Sequence, residues 1–220
     1  MDGLRERYRE VVTSFETRGV DVSSDATVAD DTRKWLDGQN DLPWQSSQGI
    51  TSDEYFFITT LYGNNDPNGQ RTLIRKFFEP LFVRGAEGDV RRFNERLDYD
   101  GLRAPWMKCR LCKMARILQE RDISMKQYVD ELRSLERAAS VHNPMPALER
   151  IVRDHGATSS KTLSVFVRDC VGGNCFPIDL RVKRQLIKYT IPTNERLLVR
   201  VCLDLGRNPR HDARLFYEAN

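Results

Sequence analysis

Apolar residues recur every three or four positions almost from end to end of this chain, and that spacing leaves little room for any architecture but packed helices. Residues 2–18 set Leu4, Tyr8, Val11, Val12 and Phe15 on one face. Residues 53–62 and 70–83 do the same with Phe57, Leu61, Leu73, Phe77, Phe78 and Leu81. The spacing predicts further helices over 105–121, 124–139, 144–155, 160–171, 179–189, 194–205 and 209–218. Near their starts stand Ser124, Pro144, Ser160, Asp179, Thr193 and Pro209, residue types that favour a cap or a first turn. Strict alternation is rare, so the expected fold class is all-α. Residues 19–50 differ: rich in Asp25, Asp30, Asp31, Gln39, Gln45, Ser46, Ser47 and Gln48, they read as a polar, partly irregular connection with one short helix around Trp35. No repeat of solenoid period is evident, and 220 residues suit a single domain spanning 1–220.

Composition narrows the class. With 40% hydrophobic and 30% charged residues and only 13 Gly and 9 Pro, the chain is neither disordered nor fibrous. Its longest apolar runs, such as Tyr55-Phe56-Phe57-Ile58, fall far short of the roughly 18 residues of a membrane span. The charged start, Met1-Asp2-Gly3-Leu4-Arg5-Glu6-Arg7, is unlike a signal peptide, so a soluble, intracellular protein without membrane contact is expected. Five scattered cysteines argue for a reducing compartment rather than a disulfide framework. A net charge of +3 permits an acidic partner without demanding one.

Chemistry concentrates in residues 147–188, which read helix, tight turn, helix, loop, helix. Gly156 closes the first helix, and Thr158, Ser159 and Ser160 offer hydroxyl caps to the next. Lys161 then falls in a first turn, where the positive end of the helix dipole disfavours an ammonium and so favours a neutral, nucleophilic amine. Burial would add to that effect. Asp179, 18 residues on and after Phe176-Pro177-Ile178, opens another helix, where the same dipole favours a carboxylate. An activated amine and an ionised carboxylate across one cleft form a catalytic pair. The plainer readings are a solvated first-turn lysine and an ordinary Asp cap.

At these residues the chain resembles the helix-hairpin-helix DNA glycosylase superfamily, which includes endonuclease III and the 8-oxoguanine glycosylases. Lys161-Thr162-Leu163-Ser164-Val165-Phe166 is similar to the family's lysine helix, and Pro177-Ile178-Asp179-Leu180-Arg181-Val182 to its aspartate loop, at the family's spacing. Phe57 to Asn65 looks like the early helix whose end wedges into the DNA stack, making Asn64 or Asn65 the wedge. Trp106 to Arg116 is similar to the helix before the hairpin. The hairpin itself departs from the family, which places Gly-apolar-Gly before the lysine; Gly156-Ala157-Thr158-Ser159-Ser160 has one glycine and is one residue longer. That departure leans toward the divergent, archaeal type of 8-oxoguanine glycosylase. Endonuclease III-like members carry four clustered C-terminal cysteines; here only Cys202 lies beyond residue 175, so neither an iron–sulfur cluster nor any other cofactor is expected.

The resemblance implies two helical lobes flanking a cleft, and a monomer acting on double-stranded DNA that contains a damaged, oxidised base such as 8-oxoguanine. In base excision repair of this kind the nucleotide is flipped out of the stack at a few kcal/mol. Lys161 would attack the sugar to form an imine, with Asp179 stabilising developing charge, and elimination would nick the strand: a DNA glycosylase with AP lyase activity. Thr158, Ser159 and Ser160 would bind phosphate, and Arg181, Lys183, Arg184 and Lys188 would neutralise the backbone.

Other residues carry weaker signals. Cys109-x-x-Cys112 has the spacing of half a zinc or redox site, but no matching pair exists and His142, His155 and His211 are isolated, so no metal is expected and buried thiols are the plainer reading. His155, beside the hairpin, reads as a cation at a helix C-terminus. Phe56, Phe57, Phe77, Phe78 and Phe82 fit core stripes, while Trp35, Trp44, Trp106 and Phe216 are equal choices for stacking on a flipped base. Two other classes remain open: a non-catalytic duplex-binding relative, and a helical interaction protein unrelated to DNA.

Overall fold

The computed structural model describes residues 1–20, 52–61, 90–92, 105–156 and 161–219. Among these the regular structure is helical and no strand occurs, so the protein is all-α as the apolar spacing predicts. Helix α1 (Asp2–Thr17) buries Tyr8, Val11, Val12 and Phe15. Helix α2 (Ser52–Leu61) and a single 3₁₀ turn (Val90–Arg92) precede α3 (Pro105–Glu120). Then come α4 (Met125–Glu136), α5 (Pro146–His155) and α6 (Lys161–Phe166), the last running straight into a π-helical turn over Val167–Val171. Helices α7 (Leu180–Lys188), α8 (Glu195–Asp204) and α9 (Pro209–Glu218) complete the described chain. The helix expected over 70–83 and the connection over 19–50 lie outside the described residues. No described helix is long and apolar enough to cross a membrane.

Local chemistry sets the helix starts. Ser124 Oγ accepts the Gln127 N–H at 3.2 Å while Gln127 Oε1 accepts the Ser124 N–H at 2.8 Å, a reciprocal capping box that satisfies two otherwise orphaned donors of α4. Asn208 caps α9 and Pro209 fills its first position, where a missing N–H is no loss. Two expected starts are corrected. Pro146 rather than Pro144 opens α5, because its ring fits the first turn and Met145 precedes it without a side-chain cap. Asn194 rather than Thr193 caps α8, its Oδ1 accepting the Leu197 N–H at 2.9 Å. In α2 the buried residues include Phe56, Thr59 and Thr60, and both hydroxyls donate back to the Phe56 carbonyl, so polar side chains sit inside without orphaned protons.

Helices α2 to α6 pack on one another: α2 against α3, α4 and α6, and α5 against α3, α4 and α6. Helix α9 packs against α1, α7 and α8. A continuous apolar core joins the two groups. Phe216 lies fully buried within it, 5.2 Å from Phe15, 5.7 Å from Tyr8 and 5.7 Å from Phe176 between ring centroids. Burying a ring of this size contributes about 1.5–3 kcal/mol. The expectation that offers Phe216 for stacking on a flipped base is thereby overturned: a ring enclosed by three others has no face to offer. Trp35 and Trp44 lie outside the described residues, as does the Trp106 side chain.

The first and last helices are closed by a buried polar network. Tyr8 Oη donates to Asp212 Oδ2 at 3.1 Å and lies 3.0 Å from Cys202 Sγ. Arg207 grips both Asp212 oxygens, at 2.8 and 2.9 Å, and also reaches Glu16 on α1. Asp212 is fully buried, so these partners are what make its charge tolerable.

Candidate functional site

Gly156 ends α5 in the left-handed region, φ 57°, where the absence of a Cβ removes the strain any other residue would carry. Thr158, Ser159 and Ser160 of the hairpin, and the wedge candidates Asn64 and Asn65, lie outside the described residues. Lys161 is the first residue of α6 and its side chain is exposed rather than buried, because Thr162, Leu163, Ser164 and Phe166 take the inner face. Asp179 is the N-cap of α7, as expected, with Oδ1 accepting the Val182 N–H at 2.7 Å. It is half-buried, behind the buried Cys175, Phe176 and Pro177.

The loop leading to Asp179 is held by two carboxylates that the sequence does not single out. Glu136, the last residue of α4, accepts the Asn174 N–H at 2.6 Å through Oε1 and the Ala147 N–H at 3.3 Å through Oε2. It thus ties the loop to the first turn of α5. Glu195, the first residue of α8, accepts both the Ser164 hydroxyl and, at 2.9 Å, the Phe176 N–H on the same Oε1. Burial raises both carboxyls above their usual range, against the lowering effect of the donors they bind. Cys175 sits fully enclosed between them, its thiol pushed well up by burial and by both acids, which leaves it unreactive. Gly173 is required here, since a Cβ would lie 2.7 Å from a Val167 methyl and 3.2 Å from Glu136 Oε2.

His155 corrects an expectation. It ends α5 as predicted, but it is 2% exposed and packs 5.8 Å from the Phe56 ring. Burial, then the nearby Arg110 and Lys113, push its pKa down to about 3, so it is a neutral imidazole and not a cation. Its Nε2 and the Thr162 Oγ1 are buried without a hydrogen-bond partner among the described residues.

Arg181, Lys183, Arg184 and Lys188 are all exposed on α7. Lys183 and Arg184 share that surface with the exposed Leu180 and Ile187, whereas Arg181 lies 5.0 Å over the Tyr217 ring and donates to its hydroxyl at 3.2 Å. Of the Cys109/Cys112 pair only Cys112 is buried; Cys109 is exposed, so the reading of both as buried thiols is corrected. Among the described residues no group of three or more His, Cys, Asp or Glu side chains is gathered as a metal ion would require. A shallow groove of about 510 Å³ runs along the outer face of α1, lined by Arg9, Glu10, Thr13, Ser14, Thr17 and Arg18, and contains none of the candidate residues.

Glu136, Glu195 and Ser164 are the residues that sequence reading misses. Glutamates at the end and start of helices are ordinary, but Ser164 between Leu163 and Val165 on an apolar helix needed a buried acceptor, and that was the available signal. Comparison with family models, curated proteins and solved structures finds no match for this chain.

Proposed function

We propose that this chain is a base-excision DNA glycosylase with associated AP lyase activity, acting as an intracellular monomer on duplex DNA that holds an oxidised base. The observation that carries the reading is an exposed lysine at the head of α6 and, 18 residues on, a carboxylate at the head of α7, the sequence spacing of the helix-hairpin-helix glycosylases. Helices α2 to α6 and helices α1 and α7 to α9 would be the two lobes, with the everted nucleotide between them. The Lys161 amine attacks the anomeric carbon, the bond to the base breaks, and the base leaves with the electron pair and a proton. The C1′–O4′ bond then opens, O4′ taking up the second amine proton as the C=N bond of the imine forms, and loss of a C2′ proton from that imine expels the 3′ phosphate. Asp179 balances the positive charge that develops on the sugar. Lys183 and Arg184 add salt-dependent affinity for the backbone.

Borohydride trapping tests the reading on duplexes carrying 8-oxoguanine, uracil, an oxidised pyrimidine or an alkylated purine, with base release and strand cleavage scored separately. The expected result is a covalent adduct with one lesion that disappears in Lys161→Gln. An adduct undiminished in that variant refutes the assignment. Binding to duplex with a steep salt dependence but no base release on any lesion indicates the non-catalytic relative instead.

A further inference from the structure

Lys161 and Asp179 belong to different segments: one to a helix packed with α2 and α5, the other to the loop that feeds α7. A catalytic pair of that kind needs its spacing fixed by something other than the 17 intervening residues. Ser164 lies one turn from Lys161 on α6, and Phe176 lies three residues before Asp179. A single oxygen, Glu195 Oε1, accepts the hydroxyl of the first and the backbone N–H of the second. Glu195 itself is anchored at the first position of α8, whose cap Asn194 fixes that turn. Glu136 repeats the device from the other side, binding the loop through Asn174 and the start of α5 through Ala147.

We propose that Glu195 is a positioning residue that locks the Lys161 helix to the Asp179 loop, with Glu136 as the second brace on the same loop. The proposal rests on the glycosylase reading for its catalytic consequence, though not for the clamp itself. Glu195 touches neither candidate catalytic side chain in the structure, so it acts through Ser164 and the Phe176 backbone. An acceptor is what the geometry needs at this point, because both contacts are donors. Glutamine keeps an oxygen there and alanine does not.

Two readouts on the full-length protein separate the clamp from the reading on which its catalytic role rests. The first is single-turnover base release and borohydride trapping at saturating enzyme, with DNA affinity measured in parallel. Glu195→Ala and Ser164→Ala should slow the chemical step about 10- to 100-fold while DNA affinity stays within about threefold, an effect of the size expected for a misplaced reacting group. Glu195→Gln should recover most of the rate. The second is hydrogen exchange, which needs no substrate: Glu195→Ala should speed exchange across 172–179 and across 161–166 together, and Glu195→Gln should restore protection in both. Coupled exchange in a protein whose wild type releases no base supports the clamp and sinks the glycosylase reading. Wild-type base release with Glu195→Ala folded, fully active and exchanging only at α8 overturns the clamp and leaves the reading standing. A rate loss accounted for wholly by weaker DNA binding also overturns it.

Discussion

Replacing Asp179 with Asn keeps an oxygen on the Val182 N–H and removes only the charge, so it separates the two things this residue can do. As a cap, Asn is nearly equivalent to Asp, and unfolding free energy should change by less than about 1 kcal/mol, whereas Asp179→Ala should lose about that amount. As a charge facing a developing cation, Asp179→Asn should lower base release about 100-fold. Urea denaturation beside a single-turnover assay measures both, and an Asn variant with unaltered turnover leaves Asp179 a cap and nothing more. His155 gives a different test, through pH. Its pKa is about 3 in the fold against an ordinary 6.5, so the unfolded chain takes up its proton first. Stability from this group is full above about 6.5 and falls as pH drops toward 3, by at most about 1.4 kcal/mol per pH unit. Glu136 and Glu195 act oppositely: their raised values mean stability lost as pH rises above 4.5, but they are common to wild type and variant. The stability difference between wild type and His155→Leu should therefore shift in the variant's favour between pH 7 and pH 5; a constant difference would show that the imidazole is not held neutral.

The segment between the π-helical turn and α7 is where elements rather than residues decide the outcome. Gly173→Ala places a methyl against Val167 and the Glu136 carboxylate, and should lower stability by about 1–3 kcal/mol while speeding exchange of the Asn174 amide. Wild-type stability in that variant would mean the loop adjusts freely and is poorly suited to holding a catalytic group. Most helices here were legible because a buried face repeats its apolar residues in register with the turn: α1 to α5 and α7 to α9 begin and end within about three residues of the expected positions, while the helix expected over 160–171 is α6 only to Phe166 and a π-helical turn beyond it. Helix starts were less so: Pro144 and Pro146 both suit a first turn, where a missing N–H is no loss, and Thr193 and Asn194 differ only in which side chain accepts the Leu197 N–H. Lys161 and Asp179 stand out as candidates by their type and spacing. Glu136 and Glu195 do not, because their importance comes from backbone amides contributed by a loop 38 and 19 residues away in sequence, and nothing local announces such partners.

On the scale of the whole molecule, helices from opposite ends of the described chain share one buried charge. Asp212→Ala would leave Arg207 facing an apolar interior without its main partner, and the loss should be about 3 kcal/mol, at the low end for a broken buried pair because Arg207 is itself 24% exposed. Denaturant midpoints check this, and Asp212→Asn should fall between that variant and wild type; an alanine variant as stable as wild type would show that the network is dispensable. The contact from Tyr8 to Asp212 spans 204 positions. During synthesis at about 5–20 residues per second, the oily side of the first helix therefore emerges from the ribosome roughly 10–40 s before the segment that covers it exists. For that interval the face has no native partner, and whatever shields it from water is non-native.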